Sequence, residues 1–413
     1  MRAQRSHDNG PALAISEGGG QRGTSCIRRS RSLHESAASN TKMPAAEEKK
    51  LKLALLGCGR IAQVHWRGLA ESAGHSIHVS ACIDIFLPRA EEMAAKLSAA
   101  TGEPCAAFGS LAEAAASPAA EFEAVDIMLL HHQHEAAALE AFALGLHVLL
   151  EKPMSITPES CAKIVAAANA ASADRPGGKK VFWIAEQEQY APAVLTAQRL
   201  IREGLIGETV TLHTMGAAGG QRHAPRGGGG GQGAVLAAAG MPSYSAVLPG
   251  EELVRSGAKL ARSWRADKAL AGGGVIIDGG SHTIRPMRLL MQPHCGEVEA
   301  VAAVTEAFNP ESEGENFTRT MMRFQNGQVA TLEMGGVPGA VYGPEPWRHR
   351  VLGTLGEVRV LADSAAGHVE PDVVLFNADH PDGKISRRRD CYFADTPSPS
   401  LLKRLLKGEG GAE

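Results

Sequence analysis

The stretch from Leu51 to Val64 constrains this chain more than any other. Leu51 to Leu56 is a short apolar run that reads as a buried parallel strand, and the chain then turns through Gly57 and Gly59 into a helix opening at about Arg60. Gly57 permits the tight turn, Gly59 lets the backbone come close to a pyrophosphate, and Ala62 keeps the helix tight on the strand. The N–H groups of Arg60 and Ile61, at the start of the helix, are then free to face an anion. The pattern is G-x-G-x-x-A, the looser form of the dinucleotide fingerprint. Alone, it also fits an ordinary strand–turn–helix with incidental glycines.

The residues downstream sharpen the reading. Ile77 to Ile83 reads as a second strand, and Asp84 stands at its end, about 20 residues past the glycines, where a carboxylate holds adenosine ribose hydroxyls. An acid there repels a 2′-phosphate, and neither Ile85 nor Phe86 supplies a cation to bind one. NAD is favoured over NADP.

A chain of 413 residues has room for two domains and a sizeable core. Its formal net charge of −3 gives no reason to expect nucleic acid or an anionic membrane as partner. The cysteines at positions 26, 58, 82, 105, 161, 295 and 391 form no C-x-x-C pair, which points to buried thiols in a reducing compartment and not to disulfides or zinc. No apolar stretch is long enough to span a bilayer.

Residues 1–42 carry Arg2, Arg5, Arg22, Arg28, Arg29, Arg31 and Lys42 against Asp8, Glu17 and Glu35, with many serines and no apolar periodicity. That composition predicts a disordered leader over residues 1–50. It resembles an organelle transit peptide, but fits equally an extension upstream of a protein beginning at Met43. The expected location is cytoplasmic, or organellar if the leader is an address.

From Leu51 strands and helices alternate, which implies a parallel, doubly wound sheet over residues 51–185. Helices are expected over Pro88 to Ala100, over Ser110 to Ala116 with Ser110 as cap, over Glu135 to Leu144 closed by Gly145, and from Pro158 after the cap Thr157. Strands are expected over Val125 to Leu130, His147 to Leu150 and Val181 to Ala185. Residues 186–390 read as α+β. Gly207 to Thr214, Val298 to Thr305, Phe317 to Phe324 and Gln328 to Met334 alternate like strands with one wet face, the last two joined by a Gln325-Asn326-Gly327 turn. The Gly-rich stretch 216–240 is expected to be a mobile insertion. In the tail 391–413, Leu401, Leu402, Leu405 and Leu406 predict a short amphipathic helix that packs on the body.

Three groups invite chemistry. Glu151-Lys152-Pro153 lies at the carboxyl end of a parallel strand, where ligands bind in open α/β sheets. A lysine there can set a cation beside a substrate oxygen, although a single lysine after a strand is more often plain surface. Asp278 and His282 are four residues apart, so a continuous helix puts both on one face and lets the carboxylate orient the imidazole. From spacing alone, a capping Asp and a hydrogen-bonded core His are the more frequent reading. His131-His132-Gln133-His134 invites a metal, but on a strand-to-turn segment these rings do not converge, and no metal is expected.

Taken together, these residues resemble the Gfo/Idh/MocA oxidoreductases, the family of inositol 2-dehydrogenase and glucose–fructose oxidoreductase. The resemblance covers roughly residues 51–360 and rests on the order and spacing of its motifs. They are Gly57-x-Gly59-Arg60-Ile61-Ala62, Asp84 with Arg89-Ala90, and His134, Gly145 and His147 ahead of Glu151-Lys152-Pro153. Tyr190-Ala191-Pro192, Gly207-Glu208, Trp264-Arg265 and Gly272-Gly273-Gly274 follow, before Asp278, His282 and Gly353-Thr354-x-Gly356.

The resemblance implies a Rossmann domain followed by an α+β domain with an open, mainly antiparallel sheet that often mediates homo-oligomers. It implies hydride transfer between NAD and a hydroxyl-bearing carbon of a polyol, sugar or related small molecule. Lys152, Asp278 and His282 become the catalytic set, with His282 as proton acceptor and a commonly cis bond before Pro153. Gly57, Gly59, Arg60, Ile61, Asp84, His131, Glu151 and Lys152 fall on the cofactor side, and Trp264, Arg265 and Arg285 on the substrate side. Two positions depart from the pattern. A Thr-Pro-Asn turn is replaced by Leu129-Leu130-His131, and the acid often found three residues after the histidine is Arg285, which suggests a ligand bearing a carboxylate or phosphate. The alternative function is a non-catalytic, NAD-binding regulator of the same fold, although such a protein has no need of a base.

Overall fold

The computed structural model describes residues 50–73, 76–172, 179–216, 264–310, 312–336, 348–361 and 373–386. The expected leader, most of the Gly-rich insertion and the tail helix lie outside them.

Six strands build the first sheet: β1 (Leu51–Leu56), β2 (Ile77–Ile83), β3 (Ala106–Phe108), β4 (Ala124–Ile127), β5 (His147–Leu150) and β6 (Phe182–Ile184). All neighbours are parallel, in the order β3-β2-β1-β4-β5-β6. The crossovers carry α1 (Arg60–Ala73), α2 (Leu87–Thr101), α3 (Leu111–Ala116), α4 (His134–Ala143) and α5 (Pro158–Ala171). Strand β1 shows why the sequence run is uniformly apolar. Leu53 and Leu55 pack with Ala62, Met93 and Leu97 on one face, while Ala54 and Leu56 pack with Ala138, Phe142 and Ile164 on the other. A strand covered on both faces has no wet side. The strand order reverses between β1 and β4, which opens a crevice beyond their carboxyl ends.

Local chemistry sets the helix limits. Thr157 accepts a hydrogen bond from the Ser160 N–H with Pro158 at the first position of α5, and Ser110 accepts from the Glu113 N–H to open α3. Two expectations need correction here. The strand read as Val125 to Leu130 stops at Ile127, and residues His131–Gln133 form a 3₁₀ turn ahead of α4. Strand β3 is absent from the sequence reading because three residues show no period.

The second sheet follows α6 (Pro192–Arg202) and holds β7 (Thr209–Gly216), β8 (Val298–Glu306), β9 (Phe317–Phe324), β10 (Val329–Gly335), β11 (His349–Gly353), β12 (Gly356–Val360), β13 (Val373–Asn377) and β14 (His380–Ser386). Its order is β14-β13-β12-β11-β7-β10-β9-β8. It is antiparallel except for the β7–β10 pair, which runs parallel. One face is core: Met322, Phe324, Leu332 and Val351 pack against Leu200 and Ile201 of α6 and against Met287, Leu290 and Met291 of the helix Ser281–Cys295. Along β9 the inward residues Thr318, Thr320, Met322 and Phe324 alternate with the exposed Arg319, Met321 and Arg323. Among the described residues no helix is long and apolar enough to cross a membrane.

The two fingerprint glycines differ physically. Gly57 sits at φ +94°, and a Cβ there would lie 2.6 Å from the Met128 carbonyl oxygen, whereas a Cβ on Gly59 meets nothing within 4 Å. Gly57→Ala is therefore expected to lose about 1–3 kcal/mol of stability from backbone strain, with more from the clash. Gly59→Ala should stay within about 0.5 kcal/mol of wild type, as substitutions in open space do. Chemical denaturation of both variants checks the contrast, and equal losses would contradict it.

Candidate active site

Asp84, at the end of β2, is buried and does more locally than the sequence reading allowed. Its Oδ2 accepts a hydrogen bond from the Cys58 N–H at 2.9 Å, and its Oδ1 accepts from the Phe86 N–H at 2.9 Å. The carboxylate therefore ties the Gly57–Gly59 turn to the β2 end. Arg89, on α2, reaches the same carboxylate with Nη1 at 3.5 Å. Arg60 and Ile61 are exposed at the start of α1, and the first turn of that helix carries no acid to compete with an anion.

The second group gathers around Asp278, in the short helix Val275–Gly279. Lys152 follows β5, and its bond to Pro153 is cis. Its Nζ donates to the Asp278 carbonyl oxygen at 2.6 Å and lies 3.6 Å from Asp278 Oδ1. Arg265, in the 3₁₀ turn Trp264–Ala266, donates from Nε to Asp278 Oδ2 at 3.1 Å and lies over the Trp264 ring at 4.2 Å. Burial works to raise the Asp278 pKa, but the charges of Arg265 and Lys152 outweigh it and hold the carboxyl below its ordinary value.

His131 closes this group. Its Nδ1 lies 3.0 Å from the Ala271 carbonyl, which can only accept, so Nδ1 carries the proton and Nε2 is bare. That Nε2 lies 3.7 Å from Asp278 Oδ1, which is buried and has no hydrogen-bond partner. Asp278 Oδ1 thus has the His131 Nε2 and the Lys152 Nζ both within 3.7 Å. The Trp264 ring meets His131 edge-on at 4.7 Å. On the far side, His134 holds the Pro153 carbonyl with Nδ1 at 2.8 Å.

His282 requires a correction. Asp278 and His282 do not share a continuous helix face: the helix Val275–Gly279 ends before Gly280, and a new one runs from Ser281 to Cys295. The imidazole turns instead to Glu186, with Nδ1 2.7 Å from Oε1. Burial works to raise the Glu186 pKa, yet the hydrogen bond and charge of His282 hold it below the ordinary glutamate value. Glu186 also accepts from the Glu188 N–H at 3.1 Å, capping the 3₁₀ turn Gln187–Tyr190. Arg285, one turn beyond His282, donates from Nε to Gln189 Oε1 at 2.9 Å in the same turn.

Sequence reasoning missed Glu186 and Glu315. The first had a signal, since an acid just past the end of a parallel strand recurs at Asp84, Glu151 and Glu186. The second had none. Glu315, between β8 and β9, accepts from the N–H groups of Gly274 and Ile276 at 3.0 Å each and so caps the helix that carries Asp278. A Cβ on Gly274 would lie 1.7 Å from the Glu315 carbonyl oxygen, which explains the glycine.

The neutrality of His131 has a measurable consequence. Burial pushes its pKa down to about 4, against the hydrogen bond to Ala271. The unfolded ring takes a proton near pH 6.5, so stability tied to the neutral ring is complete above about 6.5 and falls as pH drops towards 4. Relative to His131→Gln, wild type should lose about 2 kcal/mol between pH 7 and pH 5 in urea unfolding. A difference independent of pH would refute this.

Residues 51–174 match the GFO_IDH_MocA model, described as an oxidoreductase family with an NAD-binding Rossmann fold, and residues 252–359 match the GFO/IDH/MocA C-terminal domain model. An inositol 2-dehydrogenase of Burkholderia cenocepacia (strain HI2424) is 31% identical over 163 residues, which is 40% of this chain and 44% of that protein. The chain thus spans less than half the length of the curated relatives it matches. Among solved structures, an aldose–aldose oxidoreductase from Caulobacter crescentus complexed with glycerol superposes with a TM-score of 0.62 at 21% identity, covering 87% of this chain and 90% of that one. The WlbA dehydrogenase of Bordetella pertussis, in complex with NADH and UDP-GlcNAcA, gives 0.59 at 20% identity over 88% and 90%. At these identities the likeness establishes the fold.

Proposed function

The chain belongs to the Gfo/Idh/MocA oxidoreductase family, and on that footing we propose that it is an NAD-dependent dehydrogenase or reductase. It moves a hydride between nicotinamide and a hydroxyl-bearing carbon of a polyol, sugar or related small molecule. The observation that carries this reading is the meeting of Lys152 and Asp278, with Lys152 Nζ 2.6 Å from the Asp278 carbonyl oxygen and 3.6 Å from its Oδ1.

The residues fit a dinucleotide. Open space at the Cβ position of Gly59 leaves the turn backbone accessible to phosphate, the acid-free start of α1 offers its N–H groups, and Asp84 stands at the β2 end. Gly57, Gly59, Arg60, Ile61 and Asp84 would hold the nucleotide, with Lys152, Glu151 and His131 towards the reacting end. When bound, nicotinamide supplies the hydride acceptor or donor.

The protein supplies the rest. In oxidation a substrate hydroxyl must lose a proton as its carbon loses a hydride. If Glu186 is ionised, it takes the Nδ1–H of His282 and leaves the lone pair on Nε2, the atom that accepts that proton. Lys152 stabilises the negative charge developing on the oxygen, while Asp278 holds the ammonium through its carbonyl and carboxylate. Reduction runs the same proton path backwards.

A panel of polyols and sugars monitored by NADH absorbance, run with NAD and with NADP, tests the reading. Lys152→Ala and His282→Ala should each lower kcat/KM by roughly 10²–10⁴-fold. Turnover that survives both substitutions would defeat the mechanism, and a preference for NADP would defeat the cofactor assignment.

Arg285 extends the proposal to the substrate. It stands one helical turn from His282 with Nε fixed by Gln189, where a guanidinium recognises a carboxylate or phosphate. Acidic sugar analogues should therefore inhibit more strongly than neutral ones, by roughly tenfold or more, the scale of one charge-assisted hydrogen bond. Arg285→Ala should abolish the difference. Equal inhibition by both classes in wild type would remove the idea.

A further inference from the structure

His65 is unused by the chemistry above, yet both of its ring nitrogens meet carboxylates. It lies on α1, the helix that opens directly after the glycine turn. Its Nδ1 is 2.8 Å from Asp126 Oδ2, and its Nε2 is 2.9 Å from Glu151 Oε1. Asp126 is fully buried in β4, in a strand otherwise apolar, and its other oxygen has no hydrogen-bond partner. Glu151 passes the connection on, because its second oxygen accepts from the Lys152 N–H at 2.9 Å.

The protonation state follows from the geometry. A neutral imidazole donates from one nitrogen only, so with two carboxylates it would set a bare nitrogen against an acceptor. An imidazolium donates to both and neutralises part of two buried charges. Burial works to lower the His65 pKa, but the charge and hydrogen bond of Asp126, with those of Glu151, overcome it and hold the group at about 10. The facing groups are Asp126 from β4 and Glu151 from the end of β5. Beyond Glu151, His134 of α4 grips the Pro153 carbonyl, and burial lowers its pKa.

We propose that His65 is a positioning residue for Lys152: its imidazolium, bridging Asp126 and Glu151, fixes the segment that presents the lysine and ties it to the helix that opens on the nucleotide turn. The importance of this clamp for turnover rests on the reading of Lys152 given above, but the clamp itself does not.

The test has two arms. In the first, ring-¹⁵N histidine labelling of the full chain reads the protonation state at pH 8. His65, assigned by its loss in His65→Gln, should show both ring nitrogens protonated in wild type and lose that pattern in Glu151→Gln. The backbone amide resonance of Lys152 should shift in His65→Gln. A neutral His65 ring at pH 8, or an unmoved Lys152 amide, overturns the proposal whether or not any substrate is found.

The second arm is kinetic. His65→Gln should lower kcat by roughly tenfold to a hundredfold, as outer partners of an active group do. The Kd for NADH, read by fluorescence, should move by less than about threefold, because the lost interaction serves the reacting end. The double variant His65→Gln/Glu151→Gln should be no slower than the slower single variant. An unchanged kcat, or parallel losses of kcat, NADH affinity and Tm, would reduce His65 to a fold-stabilising role and overturn the proposal. Absence of turnover in wild type with every substrate would strike the function assigned above, and the first arm would still decide on the clamp.

Discussion

The contact between Lys152 and Asp278 governs the arrangement. One group comes from the end of the parallel sheet and the other from a short helix packed beside the second sheet, 126 residues apart in sequence. Both side chains are mostly buried, 16% and 19% exposed, so each needs the other to offset its loss of water. Removing one partner of such a pair leaves an uncompensated charge, a cost of about 3–5 kcal/mol for fully buried pairs and less here. The cation is held by a backbone carbonyl as well as a carboxylate, so its position depends on where the helix Val275–Gly279 is seated.

That seat is backbone architecture. Glu315 caps the helix by accepting from the Gly274 and Ile276 N–H groups, and the Val275 N–H donates to the Glu315 carbonyl at 2.8 Å. The chain before it needs φ +89° at Gly272, where a Cβ would meet Ile156 at 2.7 Å. Ile156 lies just past the Lys152–Pro153 segment. The glycine run therefore lets the loop bearing Asp278 nest against the loop bearing Lys152 from one side and against Glu315 from the other.

The parts of the molecule that could be read from sequence are those whose signal is local. Apolar runs marked β1, β2 and β5, Thr157-Pro158 marked the start of α5, and Asn326-Gly327 marked the β9–β10 hairpin. Strands β11, β12 and β14 were not read, because sequences such as His349–Gly353 mix charge with apolar residues on a sheet with one open face, and the apolar run of β13 was passed over with them. Strand order is set by packing and leaves no local trace. The Asp278–His282 pairing was misread for a definite reason: spacing of four predicts contact only if the helix is continuous. A Cβ on Gly280 would lie 2.1 Å from the Ile276 carbonyl oxygen, and at this glycine one helix gives way to the next. The true partner of His282 is Glu186, 96 residues away, beyond the reach of any spacing rule.

Charge explains why the site divides its two acids this way. Asp278 faces Lys152 and Arg265, whereas among the described residues the basic side chain in ion-pair distance of Glu186 is the His282 imidazole. A carboxylate shared by two permanent cations is a poor partner for a base that must gain and lose a proton, because its field is already spent on them. A carboxylate reserved for the imidazole stabilises the charged ring at the moment it forms. The fold therefore gives Lys152 and His282 separate acids, Asp278 for the one and Glu186 for the other. His131 stays neutral beside Asp278 because burial outweighs the Ala271 hydrogen bond and the pull of the Asp278 charge, and the nearby Arg265 charge adds to the lowering.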